Sequence, residues 1–71
     1  MAINQAEREL MGKLKRIWDD KNFVCGIMSG LRQAEKVDEM LDFLTMAERK
    51  GDRISSDQIT ALTISMRRKN H

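Results

Sequence analysis

The chain has 71 residues, of which 41% are hydrophobic, 34% charged and 4% aromatic, with no proline and a formal net charge of +2. That length accommodates one domain with a small core, near the size at which a lone chain needs metal, disulfides or association, and the composition favours helices over strands or disorder. A single cysteine excludes an intrachain disulfide scaffold and fits a reducing cytoplasm; the start Met1-Ala2-Ile3-Asn4-Gln5 lacks the basic and apolar regions of a signal peptide, and no apolar run is long enough to span a bilayer.

Hydrophobic periodicity predicts an all-α fold, one helical domain over residues 1–71, arranged as a small bundle of three to four short helices at about 4–19, 22–32, 34–50 and 56–69. In the first, Ala6, Leu10, Met11, Leu14, Ile17 and Trp18 make one stripe, with Lys13, Lys15 and Arg16 elsewhere on the wheel. Asp20 or Asn22 is placed to cap the second helix.

The second helix contains Phe23-Val24-Cys25-Gly26-Ile27-Met28-Ser29-Gly30-Leu31, a long uncharged run. At about 100° per residue its bulky side chains fall on one face and Cys25, Gly26, Ser29 and Gly30 on the other. The Gly-x-x-x-Gly spacing would let a second backbone approach closely, so this flank is expected to be covered, and a short chain has little with which to cover it. Homo-oligomerisation follows as an expectation. A break is expected around Arg32-Gln33-Ala34, although no capping residue marks it and one continuous kinked helix stays open.

Val37, Met40, Leu41, Leu44 and Ala47 define the third helix, with Phe43 widening the stripe and Gly51 following as a natural C-terminal stop. Asp38, Glu39 and Asp42 lie opposite, as a solvated face or a docking patch for something basic. Met46 sits on the polar side. Ser55-Ser56-Asp57-Gln58 then reads as a capping box, with Ile54 and Ile59 placed to staple the turn. The fourth helix carries Ile59, Leu62 and Met66 on its stripe, with Ile64 well off it. Charge runs in blocks of +2 over residues 1–32, −4 over 33–48 and +4 over 49–71. Such alternation can steer one copy onto another, or onto a charged partner.

Catalytic constellations do not assemble from these residues. Cys25 has no base beside it, since the sole histidine is His71 at the end of the chain. One Cys and one His are too few for a zinc site, the acids Asp38, Glu39 and Asp42 lack a calcium-loop pattern, and Gly26 and Gly30 do not form a phosphate loop. No enzyme, cofactor or metal is expected. Membrane-surface binding is disfavoured because Glu7, Glu9, Asp19 and Asp20 offset the lysines of the first helix.

The expected function is therefore that of a small cytoplasmic regulatory module that self-associates and docks on a partner protein. Trp18, Phe23, Cys25, Gly26, Ser29, Gly30 and Met46 are the candidate interface residues. The alternative is a nucleic-acid-binding regulator. It would use a degenerate helix-turn-helix split near Leu62 and Thr63, or a basic tail in which Arg67, Arg68 and Lys69 contact phosphates.

Overall fold

In a computed structural model the chain is described over residues 4–69, apart from the side chain of Lys69. The opening Met1-Ala2-Ile3, His71 and the Lys69 side chain proposed for phosphate contact lie outside the described residues. Four helices follow one another: α1 (Gln5–Ile17), α2 (Lys21–Ala34), α3 (Val37–Lys50) and α4 (Ser56–Lys69). No strand occurs among the described residues.

Local chemistry sets most of the helix boundaries, although α3 begins at Val37, three residues after the expected 34, with no side-chain cap from Lys36. Asn4 caps α1 by accepting from the Ala6 amide at 2.7 Å. That helix stops at Ile17, two residues before the expected Asp19, because Trp18 turns extended. Asp20 then caps α2, accepting from the amides of Asn22 at 2.8 Å and Phe23 at 3.2 Å. The α2 helix runs on to Ala34, past the expected end at Arg32. It closes with Glu35 in the left-handed region (φ 57°). The Lys36 amide reaches back to the Leu31 carbonyl and that of Glu35 to Arg32, the paired bonds of a Schellman stop. Helices two and three are thus separate. Gly51 (φ 77°) ends α3 with the same bond pattern, through Asp52 to Ala47 and Gly51 to Glu48. The capping box at Ser55 is formed in both directions: the Gln58 amide donates to Ser55 Oγ, and the Ser55 amide to Gln58 Oε1.

Leu10, Leu14, Leu31, Met40 and Ile59 lie at the centre of the core, with no solvent exposure. Phe23, Val24, Ile27 and Met28 of α2 join them, as the bulky face of that helix requires. Ion pairs Glu7–Arg32 and Lys13–Glu48 tie α1 to the end of α2 and to α3. Because Glu7 lies near the start of α3 and Arg16 also reaches Glu48 (3.7 Å), α1 and α3 run side by side in one direction. The α4 helix packs mainly on α2 and barely meets α1 or α3. One flank of α3 is consequently left without a neighbouring helix. The Cα radius of gyration of 11.4 Å matches the ~11 Å expected of a folded chain of this length.

Candidate protein-docking surface

The apolar side chains of α3 fall on two adjacent stripes. Met40, Leu44 and Ala47 are buried against the rest of the bundle. Beside them, steps of four, three and four residues align Glu39, Phe43, Met46 and Lys50. Phe43 is 40% exposed and Met46 is 54% exposed, so this second stripe presents two large apolar groups to solvent between an acid and a base. Phe43 therefore lies alongside the core rather than within it.

The chain after Gly51 folds back past this stripe, and an open groove of about 360 Å³ results. Ala47 and Ile54 join Phe43 and Met46 as its apolar lining, and Glu39, Asp42, Lys50 and Asp52 line it with charge. Ala47, Asp52 and Ile54 are shared with a neighbouring groove of about 260 Å³, which Ile17 and Leu44 also line. Lys13, Arg16, Glu48 and Arg53 border that second groove. The Lys13 ammonium donates to Glu48, and this hydrogen bond, reinforced by the charges of Lys13 and Arg16, holds the Glu48 carboxyl below the ordinary glutamate value of 4.5. Glu48 is thus ionised on the groove border. Exposed apolar groups rimmed by charge are the usual anatomy of a protein contact surface.

The other residues singled out from the sequence scatter. Trp18 is 51% exposed in the α1–α2 connection, its ring tilted 39° against that of Phe23 with centroids 5.4 Å apart. It escapes the stripe expected of it because it is the residue at which α1 stops. Phe23 is buried in the core, with 9% of its surface exposed. Cys25, Gly26 and Ser29 are exposed, whereas Gly30 is buried beneath α4. A Cβ at Gly30 would lie 3.3 Å from Arg67 Cδ and 3.4 Å from Thr63 Cγ2, while one at Gly26 would meet nothing within 4 Å. The glycine flank is therefore half closed by the same chain and half open, so its spacing does not require a second molecule.

Thr63 lies on the same face as Ile59 and Met66, four residues after one and three before the other, but being polar it was not read as a core residue in the sequence. Burial costs it little, because its hydroxyl donates to the Ile59 carbonyl at 2.8 Å. α4 is unbroken through Leu62 and Thr63, which removes the helix-turn-helix split expected there under the alternative reading. Arg67 and Arg68 are both exposed on its last turns. Among the described residues no three His, Cys, Asp or Glu side chains gather as a metal site, and no helix is long and apolar enough to cross a membrane.

Fold and surface together define a class: a small all-α bundle with an uncovered, amphipathic helix flank. No protein-family model matches the chain, and comparisons with curated proteins and with solved structures also return no match.

Proposed function

We propose that this chain is a small, non-enzymatic regulatory module of the cytoplasm that associates with copies of itself and docks on another protein through the Phe43–Met46 flank of α3. The observation that carries this reading is the exposure of those two side chains in a charge-bordered groove on a flank that no other helix covers. Aromatic and thioether groups suit such contacts, since both bring large polarisable surface and methionine adapts to its neighbour. The single cysteine supports a reducing compartment. Trp18, exposed and steadied by Phe23, is a secondary anchor.

A display library of helical peptides, selected on the wild-type chain, tests the surface whatever the natural partner is. The expected binders are lost on a Phe43→Ser/Met46→Ser variant and shift backbone resonances between Glu39 and Ile54. Binders indifferent to that variant, or none, overturn the reading. Phosphate contact by Arg67, Arg68 and Lys69 is the competing reading, supported by the exposure of Arg67 and Arg68. It requires binding to random duplex DNA that weakens steeply with salt and is lost on Arg67→Ala/Arg68→Ala.

A further inference from the structure

We propose that the Glu39–Phe43–Met46–Lys50 stripe pairs antiparallel with the same stripe of a second copy of this chain, about a two-fold axis passing beside Leu44 and Thr45. The proposal rests on the docking reading and names the occupant of that surface. Its basis is a symmetry in the order of the residues. Reversing the Glu39–Lys50 stripe about its midpoint between Leu44 and Thr45 brings Phe43 opposite Met46 and Glu39 opposite Lys50, and the two-fold operation repeats both pairs. Antiparallel helices that pack along a seam of this spacing oppose the two kinds of seam position in just this alternation, with the flanking residues facing one another alongside.

The flank on the solvent side carries opposite charges as well. Asp42 and Arg49 immediately precede Phe43 and Lys50 on one side of the stripe, and in the antiparallel pair Asp42 of one copy comes within two residues' rise, ~3 Å, of level with Arg49 of the other. All four charged residues are exposed. In a parallel pair Glu39 would face Glu39 and Lys50 would face Lys50, so repulsion selects the antiparallel arrangement. Within one chain Glu39 touches Lys36 at 3.1 Å, and its exposed carboxylate retains a second oxygen for Lys50 of the other copy. Neither α1 nor α2 covers this flank, and α4 barely reaches α3. Met46 of each copy is also brought over the groove that Ala47 and Ile54 line in the other. A basic partner helix would satisfy Glu39 and Asp42 but meet like charge at Arg49 and Lys50, whereas a second copy satisfies all four.

Stable interfaces bury about 1,200 Å² or more, and one 14-residue helix seam supplies less, so the dimer is expected to be weak and to dissociate on dilution. Sedimentation of the full chain from micromolar to millimolar concentration should show a reversible monomer–dimer equilibrium. Two charge-reversed chains, Glu39→Lys/Asp42→Arg and Arg49→Glu/Lys50→Glu, should each dimerise at least about tenfold more weakly at low salt, and their mixture should form a one-to-one heterodimer. Circular dichroism checks that both chains fold. Independently of any variant, a mixture of isotope-labelled and unlabelled wild-type chain should give intermolecular contacts between the Phe43 ring and the Met46 methyl. A wild-type monomer at millimolar concentration, charge-reversed chains that do not recognise each other, or intermolecular contacts at another face each overturn the proposal. Display-selected peptides that still require Phe43 and Met46 would then leave the docking reading standing without it. Absence of both results removes both.

Discussion

Two glycines four residues apart on α2 have opposite surroundings, and their substitutions should separate accordingly. Gly26 faces open space, so Gly26→Ala is expected to stabilise the chain by roughly 0.5–1 kcal/mol through helix propensity, read as a higher midpoint in urea. Gly30 lies under Thr63 and Arg67, and Gly30→Leu should lower stability by about 1–3 kcal/mol by pushing α4 away. Equal effects at the two positions would contradict the seating of α4. The glycine spacing was legible in the sequence; the half of it that was covered was not, because a wheel projects one helix and knows nothing of its neighbours. A separate test concerns Glu48, whose lowered pKa means that its stabilising contribution is full above the unfolded glutamate value and disappears as pH falls through the lower folded one. A carbon-13 titration of the Glu48 carboxyl should have its midpoint below 4.5 and move up on Lys13→Met.

At the level of elements, the stops of α2 and α3 use one hydrogen-bond pattern with different residues. Gly51 adopts its positive φ without a Cβ penalty, whereas Glu35 pays for the same conformation at φ 57°. Glu35→Gly should therefore raise the melting temperature, with a gain of about 1 kcal/mol. No change would mean that the Glu35 side chain compensates the backbone. This contrast explains why Gly51 marked the end of α3 while the end of α2 was expected only as a break around Arg32-Gln33-Ala34 with no capping residue: glutamate carries no left-handed signal. The capping box at Ser55 was readable because Ser and Gln at that spacing bond only to backbone within the same turn. Trp18 was misplaced for the converse reason. Its position on the wheel had meaning only while α1 continued, and α1 had already stopped.

For the whole molecule, stability on the usual per-residue scale is about 4–10 kcal/mol. Met40 is fully buried where α3 meets the core, so Met40→Ala should cost about 2–5 kcal/mol and bring the unfolding midpoint down by a large part of its range in urea. Retention of most of the stability would show that α3 is not integral to the core. The all-α class and most of the inward apolar faces were determined by the sequence, which left three or four helices open, since periodicity and caps act over a few residues and survive any arrangement around them. The need for a second chain was inferred from small residues on one helix, and the fold answers that need locally: α4 covers Gly30, and Gly26 stays open. What only the tertiary structure decided is which face remained over. Because α4 leans on α2 and scarcely meets α3, Phe43 and Met46 stay in solvent, and whether a given apolar side chain is core or surface depends on how helices distant in sequence share a limited supply of cover.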